Sequence, residues 1–314
     1  MLIIANPAAH GGKGESAALF TMRFFSTFHN STKACEVRLT EQKGDARNMA
    51  EEAAAYDTVV VIGGDGVIHE VASGLMTIPE DMRPALGVIA VGTGNDFART
   101  FHMTRNDPEK AIAELIGGSQ TQVDVGIANG THFVQSLSFG LDAAIALDVS
   151  ERPGSHVMGS SMYAASGLKT LAKGVHGELY RAHIDDEVIE GPALVLAIQN
   201  GPTYGGGFRV CPDARPDDGL LDVCLSVSNA SVPRSLFTLG LMRLGRHTSS
   251  PLFTFRKTAR LTLEFPQQVP KGQVDGETFE ASSVEVGVLS KALRLIVPKA
   301  RLAHDSKLPS GEKR

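Results

Sequence analysis

Two short runs of glycine and acid could handle a phosphate. Gly63-Gly64-Asp65-Gly66 follows the apolar run Thr58 to Ile62 (TVVVI) and leads into a segment carrying Glu70. Gly92-Thr93-Gly94-Asn95-Asp96 follows a second apolar run, Ala85 to Val91, and leads into Phe97-Ala98-Arg99. Glycines at the carboxyl end of a buried strand let the backbone close on a phosphate, and the next helix offers free N–H groups at its positive dipole end. An Asp in such a loop repels phosphate unless a cation or a donor network intervenes. Either loop alone could be a tight strand-to-helix turn, but two at the ends of parallel strands face one crevice, where open α/β sheets bind ligands.

A third candidate, Gly11-Gly12-Lys13-Gly14, follows the first strand. It fails the P-loop pattern, because Gly14 stands where Ser or Thr belongs and Pro7 where the first Gly belongs. It matches G-x-G-x-x-A through Ala17, but the gap from Ala5 to Gly12 is too long for a dinucleotide turn, so a Rossmann oxidoreductase is the poorer reading. Asp217-Asp218-Gly219-Leu220-Leu221-Asp222 is either a turn on Asp-Gly or a hard-cation site built from carboxylate and main-chain oxygens. Val274-Asp275-Gly276-Glu277 spaces two carboxylates to share one face if the segment is strand-like, or to be solvated if it is a loop. His69-Glu70 is no zinc helix, since Ser73 replaces the second His. No G-x-S-x-G is present, and the ten histidines are scattered.

The elements that must hold these loops can be read from periodicity. Leu2–Ala5, Cys35–Leu39, Thr58–Ile62 and Ala85–Val91 are predicted strands, with helices over Glu15–Phe28, Asp45–Ala55 and Val67–Met76 between them. Strands apolar on both faces and separated by helices make a mostly parallel, helix-covered sheet. After Gln122 the rhythm changes: Val123–Ile127, Thr131–Ser138, Leu179–Ile184, Ala193–Gln199, Gly219–Ser226, Ala259–Phe265 and Val284–Val288 are predicted strands joined by turn residues. The expectation is a nucleotide-binding α/β domain over 1–122 followed by an antiparallel β-sandwich over 123–291. Ser155–Lys173 and Val232–Arg246 are predicted helices, and the polar segment 307–314 a frayed tail.

Composition bounds the partners. The 314 residues are enough for two domains, and a net charge of −5 lacks the broad positive field that nucleic acid would require. The three cysteines, Cys35, Cys211 and Cys224, form no C-x-x-C pair, which fits a reducing cytoplasm. No apolar run approaches the ~18 residues of a spanning helix, so a cytoplasmic protein is expected.

Taken in order, Asn6-Pro7 with Gly11-Gly12-Lys13, GGDG with Glu70, GTGNDFAR at Gly92–Arg99, VDVG at Val123–Gly126, DDGLLDV at Asp217–Val223 and VDGE at Val274–Glu277 resemble the diacylglycerol kinase catalytic family, bacterial lipid kinase branch. The resemblance spans nearly the whole chain. It implies an active site in the cleft between two domains, with the segment around 292–302 returning to the first. It also implies ATP bound by Asn6, Gly11, Gly12, Lys13, Thr40, Gly63, Gly64, Asp65, Gly66, Val67, Ile68, His69, Glu70, Thr93, Gly94 and Asn95. Catalytic Mg²⁺ would be held by Asp65, Asp96 and Asp124, and a structural Mg²⁺ by the loop of Arg215, Asp218 and Leu220. Glu277 matches the proton acceptor, with Asp275 competing for that role.

The chain departs from the family pattern GGDGTxNE at Val67 and His69. Val67 has no side-chain hydrogen bond to offer, and His69 alters shape and charge beside the phosphates. The resemblance implies a lipid kinase for diacylglycerol, with another alcohol (a sphingoid base, phosphatidylglycerol or NAD) or a non-catalytic nucleotide- or lipid-binding regulator as alternatives. The substrate would be met at a membrane surface by peripheral contact. Val232–Arg246 is either an interfacial helix or one packed on the β domain. A homodimer is a further permitted assembly.

Overall fold

A computed structural model describes residues 1–28, 35–140, 143, 178–227, 237 and 240–299. The predicted helix Ser155–Lys173 and the tail 307–314 lie outside the described residues, and of Val232–Arg246 only Phe237 and residues 240–246 are described.

The first part alternates β1 (Leu2–Ala5), α1 (Ala9–Phe28), β2 (Glu36–Leu39), α2 (Asp45–Glu51), β3 (Thr58–Gly63), α3 (Asp65–Leu75), β4 (Ala85–Ala90), α4 (Asp96–Thr100) and α5 (Pro108–Gly117). Parallel pairing gives the order β2-β1-β3-β4, with Leu2 opposite Glu36 and Val59. Strands β1, β3 and β4 are apolar on both faces because both faces are covered. Ile68, Val71 and Leu75 of α3, with Ala46 and Ala50 of α2, pack on one side. Ala17, Ala18 and Phe25 of α1, with Ala111 and Ile112 of α5, pack on the other. The chain leaves β1 toward β2 on one side and reaches β3 on the other, so a crevice opens at the strands' carboxyl ends between β1 and β3.

Two helices differ from their predicted bounds in ways that matter. Helix α3 starts two residues before Val67, which places Asp65 in its first turn. Regular α1 geometry begins only after Gly12, because His10, Gly11 and Gly12 take φ of 49°, 71° and 91°. That turn is permitted at two of its three positions by glycine.

The second part comprises β5 (Ser119–Ala128), β6 (Thr131–Phe133), β7 (Ser136–Gly140), β8 (Glu178–Ile184), β9 (Glu187–Gln199), β10 (Leu221–Val227), β11 (Phe253–Thr258), β12 (Arg260–Glu264), β13 (Lys271–Val274), β14 (Glu277–Glu280) and β15 (Ser283–Val297). Their pairings are antiparallel, and Phe133, Phe139, Leu196, Ile198, Val223 and Leu263 fill a core between facing strands. The single strand expected over Thr131–Ser138 is broken at Val134 and Gln135, whose N–H groups turn to the Asp275 carboxylate instead of a neighbouring strand.

Strand β15 belongs to both parts. Along its length it pairs antiparallel with β5 and β12, then Leu295 pairs in parallel with Leu86 of β4. Leu293, Leu295 and Val297 thereby enter the core of the α/β part. Arg83 locks this junction: it donates to Leu75 O at the end of α3, to Ile78 O just beyond it and to Ala292 O at the return of β15. The two parts are therefore joined through a shared strand.

Candidate active site

The glycine loops meet at the sheet's carboxyl edge. A Cβ on Gly92 would stand 2.6 Å from Gly64 Cα, so the loops cross backbone to backbone and Gly92 admits no side chain without displacement. Asn6 continues the same edge: its N–H donates to Ile62 O at 3.0 Å, and its Oδ1 accepts from Ala8 N–H at 2.9 Å. Gly14 seats α1 on that turn, since a Cβ there would fall 1.9 Å from Asn6 O. Thr40 N–H donates to Ala5 O at the end of β2. The residues expected to bind nucleotide at Asn6, Gly11–Lys13, Thr40, Gly63–Gly66 and Thr93–Asn95 thus line one edge, and Lys13 is exposed there.

Two expected contributors turn their side chains elsewhere, and a third packs on the glycine loop itself. Ile68 is fully buried in the core and offers the cleft only backbone. Glu70 accepts from Gly44 N–H at 3.0 Å and so ties α3 to the start of α2. Val67 packs over Gly63, where a Cβ would meet its Cβ at 3.2 Å.

At the cleft floor Asp65 and Asp96 converge on either side of Gly94. A Cβ at Gly94 would lie 2.8 Å from Asp65 Oδ2 and 3.4 Å from Asp96 Oδ2. Asp65 Oδ1 accepts from Phe97 N–H at 3.0 Å, and Asp96 Oδ2 accepts from Gly206 N–H at 2.6 Å. Burial and then the charge of Asp65 push the Asp96 carboxyl up to about 7, against the Gly206 N–H and Arg99. Burial also raises Asp65, opposed by N–H donors of Phe97, Asp96 and Asn95 and reinforced by the charge of Asp275. Asp96 Oδ1 and Asn95 Oδ1 are buried without a hydrogen-bond partner. Two close carboxylates that resist ionising together, one of them with an oxygen that accepts no hydrogen bond and is faced only by Arg99 Nε at 3.8 Å, are a donor pair that a hard divalent cation fits.

Asp124 sits with the other acidic loop. Its Oδ2 accepts from Gly219 N–H and its Oδ1 from Lys291 N–H, both at 2.7 Å, so it joins β5 to the Arg215–Leu220 loop and to β15. In that loop Asp218 Oδ1 accepts from Leu220 N–H at 3.1 Å, and Lys257 Nζ lies 3.2 Å from Asp218 Oδ2 and 3.0 Å from Asp222 Oδ2. Arg215 faces Asp217 at 3.4 Å. These carboxylates are already paired with cations, and an ion there would rely on main-chain oxygens. Among the described residues no three His, Cys, Asp or Glu side chains gather as a metal site.

The opposite wall of the cleft comes from the β part. Asp65, Asp96, Gln135, Ser136, Tyr204, Gln273 and Asp275 line a narrow cavity of about 80 Å³. Val274 pairs with Glu277, so Asp275 and Gly276, with φ of 47° and 90°, form a two-residue hairpin turn of the kind Asp-Gly favours. The two acids are therefore neither on one strand face nor both solvated. Asp275 points inward, its side chain 3% exposed, and Glu277 lies on β14, its side chain 33% exposed. Asp275 Oδ1 accepts from Gln135 and Ser136 N–H at 2.9 and 2.8 Å; Oδ2 accepts from Val134 N–H at 2.7 Å and meets His69 Nδ1 at 2.9 Å. Four contacts fill a carboxylate's capacity. Glu277 instead forms an ion pair with Lys43 across the cleft's outer lip.

Several of these partners escape a reading of the sequence. Gly205, Gly206 and Gly207 take φ of 63°, 78° and 101°, bringing the Gly206 N–H onto Asp96. Three successive glycines after a strand are a usable signal for such an approach. Lys43 and Gln135 carry no comparable mark.

Residues 1–128 match the diacylglycerol kinase catalytic domain family, and residues 135–297 match the YegS C-terminal NAD kinase beta sandwich-like domain. The chain belongs to the diacylglycerol kinase catalytic family, in its bacterial lipid kinase branch. It is 36% identical over 206 residues to the "Probable lipid kinase YegS-like" proteins of Yersinia pestis (strain Pestoides F) and Yersinia pseudotuberculosis serotype O:1b (strain IP 31758), covering 65% of this chain and 69% of each. A "putative diacylglycerol kinase" crystal structure from Bacillus anthracis str. Sterne has a TM-score of 0.79 at 25% identity, covering 95% of this chain and 97% of that one. This lipid kinase thus has the fold class read from its periodicity, and its family implies use of ATP. No helix among the described residues is long and apolar enough to cross a membrane.

Proposed function

We propose that this lipid kinase transfers the γ-phosphate of ATP to the free hydroxyl of diacylglycerol, giving phosphatidic acid, at the cytoplasmic surface of a membrane. The observation that carries this is the facing of the Asp65/Asp96 pair and the Asp275–Gly276 turn across one narrow cavity, with Glu277 the first residue of β14 after that turn. Phosphoryl transfer asks mainly for positioning, charge neutralisation and a proton acceptor. The glycine edge would hold the triphosphate by backbone N–H. Mg²⁺ held by Asp65 and Asp96 would supply charge neutralisation at the transferring phosphoryl group.

Glu277 suits the acceptor role better than Asp275. As the lipid oxygen attacks the γ-phosphorus and the bond to the leaving ADP oxygen breaks, the hydroxyl proton passes to Glu277, whose exposed pairing with Lys43 is easily exchanged. Asp275, already accepting from three N–H groups and facing His69, holds the hairpin. The lipid would arrive from the side of Phe237 and Leu244, 68% and 60% exposed. Arg243 and Arg246 of the same segment are exposed, Arg243 also donating to Gly207 O, while Met242 faces the interior. This division suits a surface that touches an anionic bilayer.

Labelled ATP offered with vesicles containing diacylglycerol, sphingosine or phosphatidylglycerol, and with NAD in solution, tests the assignment. Transfer to diacylglycerol is expected, and Asp65→Ala is expected to abolish it with the melting curve retained. Transfer to another acceptor would replace the substrate, and ATP binding with no transfer to any acceptor would make the chain a regulator.

A further inference from the structure

His69 lies one helical turn beyond Asp65 on α3, at the position where the family pattern carries Asn. Its ring is almost fully enclosed, with a side-chain exposure of 10%, and its Nδ1 meets Asp275 Oδ2 at 2.9 Å. The two residues are 206 positions apart and belong to different parts of the fold. Asp275 in turn accepts the three successive N–H groups of Val134, Gln135 and Ser136. One carboxylate therefore gathers a helix of the α/β part, the break between β6 and β7, and the hairpin that ends two residues later at Glu277.

We propose that His69 is a positioning residue: its bond to Asp275 sets the register between the helix bearing Asp65 and the hairpin bearing Glu277. The other crossing at this lip, Lys43 to Glu277, has a lysine side chain 74% exposed. Exposed pairs of that kind fix little, because water and side-chain entropy offset the attraction. A buried hydrogen bond to a carboxylate has a defined length and direction, and losing one partner leaves the other unsatisfied in a site that excludes water. A histidine serving only as core filler would have no need of a carboxylate at bonding distance.

In the absence of His69 the hairpin remains attached to Val134–Ser136 but loses its link to α3. The cost should therefore fall on the chemical step, where placement of the acceptor matters, and not on ATP binding at the glycine edge. A misplacement of the order of 1 Å costs up to ~100-fold in rate.

The activity arm of the test rests on the kinase assignment above, whereas the exchange arm does not. His69→Ala is expected to lower kcat by roughly 10- to 100-fold with the KM for ATP within about twofold. In the same variant, amide exchange of Val134, Gln135 and Ser136 is expected to quicken by about tenfold or more, as their shared acceptor loosens. His69→Asn, whose amide nitrogen can occupy the place of Nδ1, is expected to restore both kcat and protection.

Unchanged kcat and unchanged exchange in His69→Ala would overturn the proposal, as would a loss confined to the KM for ATP. Failure of His69→Asn to recover either quantity, with its melting curve intact, would also overturn it. Should the wild-type protein phosphorylate no lipid, the kinase assignment fails, and exchange in the two variants still decides the role of His69.

Discussion

Gly206 N–H donates a 2.6 Å hydrogen bond to Asp96 Oδ2, so a loop of the β part holds a carboxylate of the α/β part at the floor of the cleft. The bond partly offsets the burial and neighbouring charge that push Asp96 up to about 7 from its ordinary 3.8. A carboxyl raised in the folded state contributes stability that is complete below the unfolded value and is lost as pH climbs through the folded one. Burial alone would lower His69, but the hydrogen bond to Asp275 and the charges of Asp275, Glu277 and Glu70 outweigh it and raise it above 6.5, so its contribution is also lost on the alkaline side.

The metal-free protein is accordingly expected to melt lower at pH 8 than at pH 5.5. Added Mg²⁺ should raise the melting temperature more at pH 8, where Asp96 is ionised and unneutralised. Asp96→Asn should remove most of the difference in the Mg²⁺ effect while leaving the His69 contribution in place. Melting curves at both pH values with and without Mg²⁺ check this, and an equal Mg²⁺ effect at both would exclude Asp96 as a ligand.

The crossing of Gly64 and Gly92 gives a prediction about folding. Gly92→Ala would place a methyl group 2.6 Å from backbone, whereas a Cβ on Gly66 meets nothing within 4 Å. Gly92→Ala is expected to cost about 1–3 kcal/mol of stability, and Gly66→Ala to change it by no more than about 0.5 kcal/mol. Urea unfolding of both variants would show the contrast, and equal costs would mean that the loops separate easily.

How the two parts were legible differs by residue. GGDG and GTGND stand at the ends of runs such as TVVVI whose double-sided apolar character comes from a sheet covered on both faces, and this pattern is written locally. The Asp275–Gly276 turn is also local, an Asp-Gly pair, yet which acid points inward is set by Val134–Ser136, nearly 140 residues earlier. The break in Thr131–Ser138 has the same cause: the run is β-favouring throughout, and a distant carboxylate diverts its N–H groups. Strand β11 carries Arg256 and Lys257 within FTFRKT, and their charges mask it until Arg256 is seen paired with Glu187 and Lys257 with Asp222. Short-range chemistry marked the loops, and long-range hydrogen bonds assigned the acids.

The two hairpin acids should separate in mutation. Glu277→Gln keeps size and β14 pairing, and is expected to lower kcat by roughly 10²- to 10⁴-fold with melting almost unchanged. Asp275→Asn puts an amide where four donors or ring contacts converge, so stability should fall along with activity. Comparing kcat and melting temperature for the pair checks the assignment. A larger kcat loss in Asp275→Asn at unaltered stability would transfer the acceptor role to Asp275.

The exposed residues around Phe237 give the last expectation. Phe237 and Leu244 each leave most of their apolar surface in solvent, and Arg246 is exposed nearby, yet Met242 between them is 1% exposed and packs with Val210, Cys224 and Phe253. Met242 thus anchors the described part of the segment while Phe237, Leu244 and Arg246 are exposed, so Phe237→Ser, Leu244→Ser and Arg246→Ser can be combined with little effect on the core. Each juxtamembrane arginine contributes about 1 kcal/mol toward an anionic surface, and the two apolar groups add their own transfer energy. The triple variant is expected to bind vesicles rich in anionic lipid at least about tenfold more weakly in sedimentation. It should keep the wild-type kcat on a short-chain diacylglycerol dispersed as monomers, where no surface is involved. Undiminished vesicle binding would place the membrane contact on another face.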